Sequence, residues 1–194
     1  VILAFALGLA VTFGPLVVRH LTDPAIAARG LQTRLWEPGT PLPAVALRVL
    51  GRYAIHFGPG FLFVRGDADP GNSPADSGMF EWALLPLLLV GLFAALRRVR
   101  SQASSAFLVA MVLAYPAGDV VARYDGAHAF RSSPGIAALL LLAALGAVSA
   151  WRWLRERNRA LAWGTAAVIA GATLVQDARS LTTYFGSWPE RPAI

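Results

Sequence analysis

The chain has 194 residues, of which 56% are hydrophobic and only 14% are charged, and its formal net charge is +6. Since a soluble domain usually has about a quarter of its residues charged, this composition argues against an ordinary soluble enzyme and favours a membrane protein. The absence of cysteine excludes a disulfide framework and a thiolate metal site.

Apolar residues are concentrated in blocks long enough to cross a hydrocarbon core, which takes roughly 17–25 helical residues. Five blocks reach this length, at 1–19, 79–96, 106–122, 134–151 and 160–176. The first block lacks a basic start and an initiating Met, so it reads as a span and not as a signal peptide. We therefore predict an all-α membrane protein, with 1–194 as a single transmembrane unit that is a fragment of a longer chain.

The positive charge is confined to two short segments between predicted spans. The charged residues of these segments are Arg97, Arg98 and Arg100 in the first, and Arg152, Arg155, Glu156, Arg157 and Arg159 in the second. Each segment has a net charge of +3, so the remainder of the chain sums to zero. Arginine-rich short loops lie on the cytoplasmic side, which places 20–78 and 123–133 outside. The charge thus describes a topology and not a nucleic-acid footprint.

The long outer segment contains a predicted amphipathic helix at about 41–57. A Thr-Pro pair at 40–41 is a helix-start signal, and apolar residues recur at helical spacing after it. Arg48, Arg52 and His56 are spaced by four and form one row on another face. We expect the helix to lie in the membrane interface, with this row facing lipid phosphates or a phosphorylated lipid substrate. Anchoring to head groups alone is the alternative.

Further polar residues stand near the predicted outer surface. A tract rich in Gly and Phe ends in Arg65 and Asp67, where turn formation competes with ligand contact. Asp119 is expected to be solvated at the outer end of the third span, although a carboxylate inside a membrane would suggest function. His128 and Arg131 suit recognition of a phosphate, since Arg presents a fixed fork of donors; an ordinary exposed loop is the alternative.

Motifs of several other classes are missing from the sequence. It has no phosphate loop of the Walker type, which argues against a nucleotide-driven pump. Charged residues are also lacking deep in the predicted spans, which argues against a transporter.

Three outer elements occur in an order that resembles one known group of enzymes. The elements are the tract 56–67, the His-Ala-Phe-Arg sequence at 128–131 and the Tyr-Phe-Gly-Ser-Trp-Pro sequence at 184–189. The chain looks like the C-terminal half of a bacterial polyprenyl-phosphate-sugar-dependent glycosyltransferase of the GT-C fold, a group related to protein O-mannosyltransferases and aminoarabinose transferases. It departs from that group at 71–73, where Gly-Asn-Ser stands in place of a basic Arg-His-Ser.

The resemblance implies an enzyme of the bacterial cytoplasmic membrane that transfers a sugar from a polyprenyl-phosphate donor to an acceptor on the outer face. The residues that it would assign to the carrier phosphate are His128, Arg131, Arg48, Arg52, His56, Arg65 and Asp67. The catalytic carboxylate of the group lies in its first outer loop, upstream of this segment, so no catalytic residue is assigned.

The expected partners are the lipid bilayer and the polyprenyl-phosphate-linked sugar. No binding of nucleic acid is expected. No cofactor is expected within this segment, and a divalent metal in the complete enzyme is left open. A non-catalytic membrane scaffold or lipid-binding subunit is the alternative function.

Overall fold

The computed structural model describes residues 7, 10–11, 14–15, 17–19, 21–26, 28, 34–67, 69, 77–123 and 127–187, without the side chains of 130, 134 and 187. Most of the predicted span 1–19, the Gly-Asn-Ser departure at 71–73 and the Trp-Pro pair at 188–189 lie outside these residues.

Five helices account for most of the described chain. They are α1 (Leu42–His56), α2 (Leu85–Arg98), α3 (Ala103–Ala114), α4 (Ala129–Arg157) and α5 (Arg159–Thr182). Short 3-10 turns occupy Trp82–Leu84 and Tyr115–Gly118, and single π-helical turns occupy Gly60–Val64 and Thr183–Ser187. No β-strand occurs in the described residues apart from one isolated bridge between Arg34 and Ala122. The prediction of an all-α protein is confirmed.

Local sequence signals explain where two of these helices begin. Pro86 lies in the first turn of α2, where the N–H that proline lacks has no partner within the helix. The helix begins six residues after the predicted start of the span at 79. The side chain of Asn158 accepts a hydrogen bond from the backbone N–H of Leu161 (3.1 Å) and caps α5. This single extended residue turns the chain from α4 into α5.

A close helix contact joins α2 and α4 at two glycines. A Cβ atom on Gly91 would collide with the carbonyl oxygen of Leu142, and one on Gly146 would collide with that of Leu87. Close approach of two backbones through small residues is typical of helix pairs in membranes. Ala138 on α4 is also small and fully buried.

The contacts also fix the directions of the helices. Gly91 and Gly146 lie at one level, and Arg97 and Trp153 both line one cleft further along, so α2 and α4 run parallel. The end of α5 returns to the start of α2, because the side chain of Gln176 accepts a hydrogen bond from the N–H of Ala83 (3.3 Å).

One helical segment in the described part, Gly135–Arg157, is long and apolar enough to cross a membrane, and the apolar segment Ala103–Gly118 is shorter. The described helices therefore do not support the predicted count of five spans. The third predicted span, which was expected to reach 122, ends its helical structure at Gly118.

Candidate functional site

Polar side chains from four separate segments meet where α4 begins. Arg52 and His56 come from α1, Asp67 from the segment after the first π-helical turn, Asp119 from the end of the 3-10 turn after α3, and His128 from the residue before α4. All five are buried, and His56 and Asp119 have no exposed surface. We refer to these five residues as the buried polar cluster.

The centre of the buried polar cluster is the pair formed by His56 and Asp119. The Nε2 atom of His56 lies 3.0 Å from Oδ2 of Asp119, and Nδ1 lies 2.9 Å from the carbonyl oxygen of Arg52. A carbonyl oxygen only accepts hydrogen bonds, so Nδ1 carries a proton. The Nε2–Oδ2 contact therefore also needs a proton, held either by an imidazolium or by the carboxyl group.

Aromatic rings enclose this pair. The ring of His56 meets Phe61 edge-on at a centroid distance of 5.4 Å and Tyr115 at 6.0 Å. In such apolar surroundings, burial of an unpaired charge costs much free energy, and a buried charge needs an oppositely charged or hydrogen-bonding partner.

Two carboxylates of the cluster bind the N-terminus of α4. Oδ2 of Asp119 accepts the N–H of His128 (2.9 Å), and Oδ2 of Asp67 accepts that of Ala129 (2.7 Å). The same Asp67 oxygen lies 3.5 Å from Nδ1 of His128. Negative charge is favourable at a helix N-terminus, so residues distant in sequence provide the capping that no local side chain supplies. Ser132, fully buried, donates its hydroxyl to the carbonyl oxygen of His128 (2.9 Å) and closes the first turn.

The surroundings of Asp119, which lies beyond the helical end at Gly118, set its charge. Burial raises the pKa of this carboxyl, but the contacts with His56 and with the N–H of His128, and the nearby charge of Arg52, outweigh burial and hold the pKa below its ordinary value. Asp119 was expected to be solvated; its complete burial shows that this expectation was wrong.

The row predicted on α1 divides between two environments. Arg48 is exposed, whereas Arg52 is buried and its Nη2 atom donates to the carbonyl oxygen of Ala122 (3.5 Å). His56 is buried beside it. The expectation that the whole row faces lipid phosphates is therefore wrong for Arg52 and His56, because α1 turns that face inward.

The other predicted phosphate ligands lie around the cluster. Asp67 and His128 belong to it, whereas Arg131 is partly exposed in the first turn of α4. Arg65 is exposed, and its guanidinium lies over Gly60. Ser132, which completes the first turn of α4, was missed by the sequence analysis, since an isolated serine in an apolar helix gives no signal of its partner.

No group of three or more His, Cys, Asp or Glu residues within the described ranges is placed to hold a metal ion. No family model matches the chain, and no curated protein or solved structure shows significant similarity to it.

Proposed function

We propose that this chain is the membrane-embedded, carrier-binding part of a bacterial glycosyltransferase that uses a polyprenyl-phosphate-linked sugar. The observation that carries this proposal is the meeting of two motif segments, 56–67 and 128–131, which lie more than 60 residues apart in sequence. Asp67 of the first segment binds the N–H of Ala129 in the second. Two of the three segments that carry the resemblance thus meet in the fold.

Insertion into a membrane is supported by the distribution of apolar and polar side chains. On α1 the buried residues are Arg52 and His56, whereas Leu42 is 82% exposed and Leu50 is 64% exposed. The other helices likewise expose large apolar residues: Leu89 and Phe93 on α2, Phe107 on α3, Leu141 on α4, and Trp163 and Val168 on α5. Polar groups inside and apolar groups outside suit a lipid surrounding. The segment Gly135–Arg157 is only 28% buried over its most apolar window, unlike the core helix of a soluble protein.

The proposed orientation in the membrane rests on which residues lie at each end of the helices. Parallel α2 and α4 bring their arginine-rich C-terminal ends to the same side, and the buried polar cluster lies at the start of α4. Under the positive-inside rule the arginine-rich side is cytoplasmic and the cluster faces outward. Trp82 marks the outer end of α2, and Trp153 and Trp163 mark the inner ends of α4 and α5; all three are exposed, as interfacial anchors are.

In the proposed reaction, a carboxylate from another part of the enzyme takes the proton of the acceptor hydroxyl. The acceptor oxygen then bonds to the anomeric carbon while the bond from that carbon to the phosphate oxygen breaks. The polyprenyl phosphate leaves with the bonding electrons, and its new negative charge is stabilised by arginines. The partly exposed Arg131 and the exposed Arg48 and Arg65 fit this role. Arg52, His56, Asp67 and Asp119 instead hold together the segments that carry these arginines.

The alternative is a non-catalytic scaffold or lipid-binding subunit. The observation that favours it is the complete burial of His56 and Asp119 against each other, since a charge pair enclosed within the protein can be purely structural. The two functions differ in turnover, because only the transferase consumes the donor lipid.

The test is turnover by the purified full-length protein with a panel of radiolabelled polyprenyl-phosphate sugars. Removal of one charge-stabilising donor typically lowers the rate about 10²–10³-fold. Arg131→Ala should therefore lower the rate of sugar transfer to this extent, while the amount of protein in the membrane stays unchanged. The matched control is Arg123→Ala, an exposed arginine near the same end, which should retain activity. Unchanged turnover in Arg131→Ala would remove this residue from the mechanism. Binding of polyprenyl phosphate without turnover of any donor would favour the scaffold.

A further inference from the structure

A second site is suggested by a cleft at the opposite end of the molecule. The C-terminal ends of α2 and α4 line a space of about 730 Å³, which falls in the range of small-molecule sites. The small residues Ala94 and Ala150 leave room between the helices, and Phe93 and Trp153 form apolar walls that are 62% and 56% exposed. We call this space the basic cleft.

Two arginines give the basic cleft its charge. Arg97 and Arg98 line it, and neither has an acidic partner within 4.0 Å among the described residues. The Arg97 guanidinium carbon lies 5.4 Å from the centroid of the Phe93 ring, and that of Arg157 lies 3.8 Å from the centroid of Trp153. Stacking on these rings keeps positive charge beside the apolar walls.

The partial negative charges at the C-terminal ends of α2 and α4 disfavour a bound anion in the basic cleft, but this effect is small. Each helix C-terminus has about half a negative charge, so α2 and α4 together contribute about one. The two arginine-rich segments each have a net charge of +3. The balance at this end therefore remains strongly positive and favours an anionic head group.

We propose that the basic cleft binds one anionic phospholipid of the cytoplasmic leaflet. Its phosphate would be held by Arg97 and Arg98 through charge-assisted hydrogen bonds, and an acyl chain would lie between Phe93 and Trp153. A basic pocket between membrane helices on the cytoplasmic side is a recognised form of lipid site. The inference rests on the proposed membrane insertion and not on glycosyl transfer.

The head-group half of the site is tested by native mass spectrometry of the full-length protein, extracted from equal amounts of phosphatidylglycerol and phosphatidylcholine. Phosphatidylglycerol should be retained selectively, and excess glycerol phosphate, which has no acyl chain, should not displace it. The double variant Arg97→Gln/Arg98→Gln should lower retention roughly thirtyfold, on the basis of about 1 kcal/mol per arginine. The matched control Arg152→Gln/Arg155→Gln removes the same charge at the same end, outside the cleft lining, and should retain the lipid.

The apolar half is tested by filling the cleft while its charge is kept. Ala150→Phe, or Ala94→Leu from the facing helix if the first variant does not fold, should displace the lipid, whereas Ala172→Phe on the exposed surface of α5 should not. Three results would each overturn the proposal: equal loss in the Arg152/Arg155 control, equal retention of phosphatidylcholine, or unchanged retention after the cleft is filled. Donor turnover is measured in parallel, so loss of this site and loss of the proposed enzyme function are distinguishable. If the protein leaves the membrane fraction without detergent, it is not inserted in the bilayer, and both proposals fail.

Discussion

His56 and Asp119 stabilise the protein in a way that depends on both being present. Neither side chain has exposed surface, so each has lost its hydration and is compensated mainly by the other. Replacing a buried ion pair with apolar groups is often neutral, whereas removing one partner leaves an uncompensated buried charge. The two residues should therefore be strongly non-additive.

We predict that Asp119→Leu lowers the free energy of unfolding by about 3–5 kcal/mol. Because the lone His56 then remains in an apolar pocket, the double variant His56→Met/Asp119→Leu should recover a large part of this loss. The measurement is denaturant unfolding of the protein in detergent micelles, with the exposed Glu156→Gln as a control that stays near the wild type. Additive effects of the two single substitutions would contradict the pairing.

At these positions the sequence predicted which residues share a face but not where that face points. The spacing of Arg48, Arg52 and His56 correctly placed them on one helix, since periodicity depends only on backbone geometry. Which side turns inward depends on the surroundings. With partners such as Asp119 inside, the polar face is buried; no local signal records a partner 63 residues away.

At the scale of elements, the α2–α4 pair depends on the absence of two side chains. Gly91 and Gly146 allow the helix backbones to touch, and a Cβ atom on either would meet a carbonyl oxygen of the other helix. Backbone cannot move aside as a flexible side chain can, so the helices would have to separate.

We predict that Gly91→Ala or Gly146→Ala destabilises the protein by about 1–3 kcal/mol, the usual effect of overpacking. Gly164 and Gly171 on α5 have open space at the position of a Cβ atom, so Gly164→Ala and Gly171→Ala should instead stabilise their helix by about 0.5–1 kcal/mol. Thermal unfolding of the four single variants distinguishes the two groups. A stabilised Gly91→Ala variant would show that the helices do not cross at this point.

The existence of these helices could be read from the sequence, but their contact could not. Apolar blocks predicted a helix in each segment from 79 to 176, yet α2 begins at Leu85 and α4 extends over Ala129–Arg157. The apolar residues that flank each helix fit either a helix end or a loop, so composition alone does not set the boundary. Glycine within an apolar run, likewise, does not reveal which helix it approaches.

At the scale of the whole molecule, the positions of the arginine-rich segments agree with the directions of α2 and α4. Parallel α2 and α4 bring both arginine-rich segments to one side, although those segments are about 50 residues apart in sequence. The buried polar cluster, with the segments 56–67 and 128–131, lies on the other. The sequence predicted this separation from the charge of each loop, and the helix directions give the same arrangement from contacts between glycines.

The chain contains no cysteine, so single cysteine substitutions can report this arrangement directly. Glu37 and Arg123 are 73% and 65% exposed near the cluster end, and Ser101 and Glu156 are exposed in the arginine-rich segments. If the arginine-rich end is cytoplasmic, a membrane-impermeant maleimide applied to intact spheroplasts should label Glu37→Cys and Arg123→Cys only. After lysis it should label all four variants. Labelling of Ser101→Cys and Glu156→Cys alone in intact spheroplasts would show that the orientation is the reverse of the one proposed. Labelling of only one member of each pair would contradict the parallel directions of α2 and α4, which place Ser101 and Glu156 on the same side.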